Sequence, residues 1–265
     1  MKKLIYKFYR INEYLFDLLI SNQLYFSTIN QFNDPYDCHF ALKELPSYEN
    51  FEFFMKQASF SKENYEYHSD MYKKEPENCL TPILEGVKKQ LTYFGICCFA
   101  GNKDNFLMWS HYADSHKGVC LGFDYEMLTK QFTQFDNVEY NNEPYFFDIT
   151  DISKSISNAI LRKSADWRYE EEVRFLMERS KTCAFDIGAL REINFGLKCP
   201  ARSIVNIIHL TNKLEYFNCT FNKANIAQSK YEVMFEKVNF EELKNTVLKA
   251  SEHIPFSTEI KLMEK

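Results

Sequence analysis

Tyr93-Phe94-Gly95-Ile96-Cys97-Cys98-Phe99-Ala100 carries no charged or amide side chain at any position. A strand points successive side chains to opposite faces, so a run like this leaves no face for water and predicts a strand buried on both sides. Upstream, Leu4 to Phe8 predicts a short strand. Asn12 then reads as an N-cap to a helix carrying Leu15, Leu18 and Leu19, Asn22 as its stop, and Leu24-Tyr25-Phe26 as a second strand. From about Pro46 to Lys89 the chain is charged, aromatic and helical in character, with breaks expected near Pro76 and Pro82. This predicts a helical insertion at about 46–90, covering one face of a sheet or serving as a lid.

Downstream, a helix is expected from Asn105 to Ala113, a permissive turn at Gly118 and a strand over Val119 to Phe123. Residues 150–165 read as helical. Glu170 to Met177 alternates, placing Val173, Phe175 and Met177 on one face and Glu170, Glu172 and Arg174 on the other. Ser203 to Leu210 reads as a further β-rich run, and Tyr231 to Phe240 as a strand before a terminal helix. Strands and helices intermix without a βαβ rhythm. The expected fold over residues 1–265 is a single α+β domain with a mixed, largely antiparallel sheet and helical insertions.

Composition narrows the function. Aromatic residues make up 17% of the 265 positions, so core and pockets will be lined by rings. Glycine occurs only seven times, against roughly 7% in average proteins, which argues against glycine-rich phosphate loops. A net charge of −5 gives no footprint for strong nonspecific nucleic-acid binding. The eight cysteines form no C-x-x-C pair and no zinc-finger spacing, and no leader-like or membrane-length apolar run is present. The thiols are therefore expected to be reduced and mostly buried, in a cytoplasmic protein. Dinucleotide, P-loop, α/β-hydrolase and zincin signatures are all missing.

Three blocks concentrate chemistry: Phe32-Asn33-Asp34-Pro35-Tyr36-Asp37; Trp109-Ser110-His111-Tyr112-Ala113 with His116 and Gly118; and Trp167 to Phe175. Both tryptophans of the chain lie within them. In the first block Asn33, Asp34 and Asp37 suit a capped turn, or a polar rim for ligand hydroxyls and amides with Phe32 and Tyr36 as stacking surfaces. In the second, the rings suit either core or pocket. His111 and His116 are five apart, a poor spacing for two metal ligands on one helical face, and no metal site is expected. In the third, Glu170, Glu172 and Arg174 suit a solvated face with cross-strand ion pairs. They also suit a cleft wall in which Arg174 holds a carboxylate that stabilises an oxocarbenium-like centre or deprotonates a nucleophile. Glu259-Ile260-Lys261 has the form of half a nuclease motif in the extreme tail.

These blocks, with Lys7-Phe8, Leu24 to Ser27, Cys98-Phe99, His116-Lys117-Gly118 and Trp167-x-Tyr169-Glu170-x-Glu172-x-Arg174, resemble a large bacterial family known as domain of unknown function 2971. The resemblance runs from about residue 4 to 240, is weakest around 48–90, and implies more about fold than about chemistry. By weaker analogy the order of strands and polar blocks is similar to ADP-ribosyltransferases, which bind NAD in the cleft of a split sheet without a glycine-rich loop. That analogy implies Lys7 or Tyr9 at the ribose, Tyr25 or Tyr112 on nicotinamide, and Glu170 or Glu172 orienting a ribose hydroxyl. Asn33, Asp34, Trp109 and His111 would complete the pocket, with Arg174 holding the carboxylate or the pyrophosphate. The first-strand His or Arg usual in those enzymes is not in place here, since Arg10 follows Tyr9.

The leading expectation is thus an NAD-using enzyme of ADP-ribosyltransferase or NAD glycohydrolase type, with NAD as substrate, a protein, nucleic acid or water as acceptor, and a toxin or anti-phage effector as the role such an enzyme would serve. The alternatives are a ligand- or partner-binding module without catalysis and a metal-dependent nuclease built on Asp34, Asp37 and Glu172.

Overall fold

A computed structural model describes residues 4–227 and 233–252. In chain order the first elements are β1 (Leu4–Tyr9), α1 (Glu13–Ser21), β2 (Gln23–Phe26), β3 (Phe40–Ala41), α2 (Tyr48–Gln57), α3 (Lys62–Lys74) and α4 (Pro76–Leu91). Then come β4 (Gly95–Phe99), α5 (Phe106–Tyr112), β5 (Val119–Asp124), α6 (Tyr125–Gln131), β6 (Phe135–Asn137), β7 (Glu139–Asn141) and β8 (Tyr145–Phe146). The remainder is α7 (Ile152–Ile160), β9 (Arg162–Ser164), β10 (Val173–Met177), β11 (Lys181–Ala184), β12 (Leu190–Phe195), α8 (Ala201–Lys213), β13 (Thr220–Ile226), β14 (Val233–Lys237) and α9 (Phe240–Glu252). The class is α+β, and strand pairing is mixed and largely antiparallel.

The chain divides into two compact units, each assembled from three stretches. Of the described residues, unit 1 comprises 4–7, 21–103 and 124–186, and unit 2 comprises 8–20, 104–123 and those from 187 onward.

Unit 1 is built on the antiparallel sheet β4-β10-β6. The apolar run that predicts a buried strand is β4, and its free edge is closed by backbone bridges from Tyr6 to Ala100 and from Ser27 to Ile96. Helices α2, α3 and α4 occupy the stretch read as an insertion. Ser47 and Ser61 cap α2 and α3 by accepting from the amides of Asn50 and Asn64. Phe51 stacks on Tyr72 at 3.9 Å, and both join a core with Met55, Leu80, Ile96 and Ile156. Pro76 sits at the first helical position, where no donor is needed, whereas Pro82 lies inside α4. The break expected there does not occur.

Unit 2 carries the sheet β5-β12-β13-β14, with β1 flanking β5 and its last residues, Phe8 and Tyr9, belonging to this unit. Ser203 to Leu210, read as β-rich, is instead part of α8. Ile204, Ile207, Ile208 and Thr211 recur at helical spacing and are buried, and that period overrides their β-branched preference. The strand expected from Tyr231 is β14 from Val233; Tyr231 and Glu232 lie outside the described residues, as does Glu259-Ile260-Lys261.

No described glycine has positive φ, so the turn before β5 is not made by Gly118. Asp114, Ser115 and His116 take the left-handed conformation themselves, at φ 47, 52 and 71°. Gly118 is required because a Cβ there would collide with the Tyr9 carbonyl oxygen.

Candidate functional site

The third block does not fold as one strand. Ala165–Glu170 is a 3-10 turn started by Ser164, whose hydroxyl accepts from the Asp166 amide. Glu171 then adopts φ 47°, and only at Val173 does β10 begin. That left-handed step turns Glu172 inward, where its amide donates to the Tyr140 hydroxyl at 2.8 Å. It also brings Glu171 against Gly101, at which a Cβ would stand 2.8 Å from the Glu171 side chain. Glu170, Glu172 and Arg174 therefore share a buried interior rather than a solvated face.

Arg174 lies on the middle strand of its sheet, across from Cys98 on β4 and Asp136 on β6, and is wholly buried. Its Nε donates to Glu172 Oε1 at 2.8 Å and its Nη2 reaches Glu172 Oε2 at 3.1 Å. The same Nη2 donates to both oxygens of Asp37, at 2.7 and 2.8 Å. Nη1 donates to the Ile160 carbonyl and to Cys38 Sγ, and the Phe32 ring lies 5.3 Å from the guanidinium carbon. Lys163, from β9, completes the cluster: its Nζ is 2.5 Å from Glu170, 3.1 Å from Glu172 and 3.5 Å from Asp37.

Each of these five side chains is 5% exposed or less. Three carboxylates against two cations leave one formal negative charge. Burial disfavours the Glu172 carboxylate, yet Arg174 and then Lys163 hold its pKa at about 2, below an ordinary 4.5. Burial likewise acts to lower Lys163, but Glu172, Asp37 and Glu170 outweigh it and keep the ammonium well above its ordinary range. Burial pushes the neighbouring Cys38 thiol up to about 12. Such a cluster is not a strong source of net stability, but removing one partner leaves a buried charge uncompensated, at a cost of about 3–5 kcal/mol.

Lys163 also faces a cavity of about 420 Å³, within the range of small-molecule pockets. Asp34, Tyr36, Asn141, Asn142, Arg162 and Trp167 also line it, and the Trp167 ring lies 5.1 Å from the lysine Nζ. Asp34 Oδ1 accepts the Tyr36 amide at 2.9 Å, which fixes the turn expected at Asn-Asp-Pro. Its Oδ2 is buried without a partner, as is Arg162 Nε.

The first and third blocks thus meet inside unit 1 through Phe32, Asp37 and Arg174. The second block belongs to unit 2. There Trp109 is fully buried, edge-on to Phe8 at 5.2 Å, with Phe235 at 6.1 Å and His116 parallel at 6.5 Å. His116 Nε2 lies 3.2 Å from Ser110 Oγ, and its Nδ1 is buried without a partner. Burial, with Lys198, pulls His116 below its ordinary pKa. His111 is exposed on α5 and Tyr112 half-buried beside it. Tyr9 is half-buried in β1, its carbonyl against Gly118.

The other candidates lie in unit 1. Lys7 donates to the Cys98 carbonyl at 2.9 Å, and Asn33 is exposed in the loop before Asp34. Tyr25 is exposed and donates to Gln31. Asp34, Asp37 and Glu172, the trio of the nuclease alternative, do not open onto one point: Asp37 and Glu172 are both engaged by Arg174 and Lys163. Among the described residues no group of three or more His, Cys, Asp or Glu side chains is placed to hold a metal ion. Lys163, Arg162 and Tyr140 were not legible as site residues, because nothing local distinguishes them from other surface-type side chains.

Residues 108–175 match the family model described as protein of unknown function (DUF2971). That segment holds the second and third blocks, with Lys163, Glu170, Glu172 and Arg174, but not the Asn-Asp-Pro loop. The chain matches no curated protein and no solved structure. Among the described residues no helix is long and apolar enough to cross a membrane.

Proposed function

We propose that unit 1 binds a ring- and hydroxyl-bearing small molecule in the cavity beside Lys163, with NAD as the ligand and cleavage of its nicotinamide–ribose bond as the chemistry. The observation that carries this reading is the double position of Lys163, which lines the cavity and holds Glu170, Glu172 and Asp37 directly behind it. Trp167 and Tyr36 supply ring surfaces, and Asp34, Asn141 and Asn142 supply acceptors and donors for ribose hydroxyls. The C–N bond would break with its electron pair leaving on nicotinamide. The positive charge developing at the ribose would be stabilised by carboxylates that stay ionised, as Glu172 does. A protein, nucleic acid or water would then add at that carbon and lose its proton.

The test is incubation of purified protein with NAD and chromatographic detection of nicotinamide, with Glu172→Gln and Glu170→Gln as controls. Release that disappears in either variant, with the fold retained by circular dichroism, supports the reading. Unchanged release in both defeats it.

A binding module without catalysis is favoured by a different observation: Glu170 and Glu172 already have their oxygens engaged by Lys163 and Arg174. On that reading NAD binds without turnover, and substitution of Trp167, which lines the cavity outside the buried ion cluster, changes affinity alone.

A further inference from the structure

The charges around the cavity are unequal. Its two permanent cations are already paired: Lys163 with three carboxylates at 2.5 to 3.5 Å, and Arg162 with Glu139 at 3.3 Å. Three lining carboxylates, Asp34, Glu143 and Asp166, have no ion pair with either. Asp34 Oδ2 in addition is buried with no hydrogen-bond donor, so its charge is left uncompensated by any local bond. The aromatic wall is suited to positive charge. Trp167 already holds the Lys163 ammonium over its ring at 5.1 Å, and Tyr36 is 71% exposed.

We infer that this cavity takes the positively charged ring or head of an organic cation, and that a phosphate does not enter it. The inference rests on the reading that this cavity is the ligand site, and it deepens that reading by assigning which end of a ligand lies here. Two sources share the chemistry: a pyridinium ring, as at one end of NAD, and an alkylammonium head. A phosphate would meet the field of three lining carboxylates and a cluster behind them that is itself one charge negative. A delocalised cation gains the carboxylates and the ring faces together, and its field weakens with salt over about 10 Å at 0.1 M.

The test is calorimetric binding to the intact chain, using 1-methylnicotinamide against neutral nicotinamide, which share a shape and differ in charge. Choline, ADP-ribose and NAD complete the set. The expected result is a preference of about tenfold or more for 1-methylnicotinamide over nicotinamide, reduced by added salt. Asp34→Asn, which keeps the acceptor for the Tyr36 amide, and the exposed Asp166→Asn should each reduce it several-fold. Choline binding as tightly as 1-methylnicotinamide identifies the ammonium source, and weaker choline binding identifies the pyridinium source; both support the inference. Equal affinity for the two nicotinamides, binding of ADP-ribose without the cations, or binding of none overturns it. Should NAD be bound or cleaved in that case, the nucleotide reading survives alone. Conversely, binding of 1-methylnicotinamide with no binding or cleavage of NAD removes the nucleotide reading and leaves the cation site.

Discussion

Arg174 and Asp37, 137 positions apart in the chain, are joined by one guanidinium nitrogen that lies 2.7 and 2.8 Å from the two carboxylate oxygens. This ties the loop after Asn-Asp-Pro to the central strand of its sheet. The loop's Asp34 and Tyr36, which wall the cavity, are placed by an interaction that neither of them makes.

Cutting that tie should cost more than any surface ion pair. Arg174→Met leaves Glu172 and Asp37 paired with Lys163 alone, and we expect a loss of about 3–5 kcal/mol in urea unfolding. A loss under about 1 kcal/mol would show that the cluster relaxes or hydrates freely.

The pH dependence follows from Glu172. Its folded-state pKa, about 2, lies below its ordinary 4.5, so it contributes stability above 4.5 that is lost as pH falls toward 2. Lys163 has the opposite sign: its pKa is raised, so its contribution is complete below the ordinary 10.5 and is lost above it. Urea midpoints should fall across the acid window, and Glu172→Gln should flatten that limb and weaken the alkaline one, since Glu172 is the foremost of the carboxylates that raise Lys163.

Unit 2 should be sensitive at Gly118. Its Cβ has no room against the Tyr9 carbonyl, so Gly118→Ala must move backbone and should cost about 1–3 kcal/mol or more. Gly86, with open space around it, is the control: Gly86→Ala lies inside α4 and should be neutral to stabilising.

The two tryptophans should separate the units spectroscopically. Trp109 is buried in unit 2, and Trp167 borders the cavity of unit 1 beside Lys163. A ligand in the cavity should change the emission of the wild-type chain and of Trp109→Phe, but not that of Trp167→Phe. A response that persists without Trp167 would place the ligand elsewhere.

What the sequence disclosed depended on how far each signal extends along the chain. β4 and the Leu15–Leu19 helix were legible because their apolar pattern is complete within one element. Ser203 to Leu210 misled because three isoleucines favour a strand by shape while their spacing fits a helix, and burial against unit 2's own core decides in favour of spacing. Glu170, Glu172 and Arg174 stood out as a charged triplet, but their shared face came from a left-handed residue at Glu171 that period-two counting does not anticipate. Lys163 was silent: its importance lies wholly in three partners from two other segments. The Asn-Asp-Pro turn was readable, because Asp34 caps it locally, whereas the unpartnered second oxygen of the same residue was not.

Lys163 holds the interior together and borders the space a ligand would fill. Anything that binds against it therefore stabilises the fold by mass action, by about 2.7 kcal/mol at a hundredfold excess over its dissociation constant. Thermal-shift screening of compound libraries then becomes a practical route to the ligand, and variants selected for tighter binding should show larger ligand-induced rises in melting temperature.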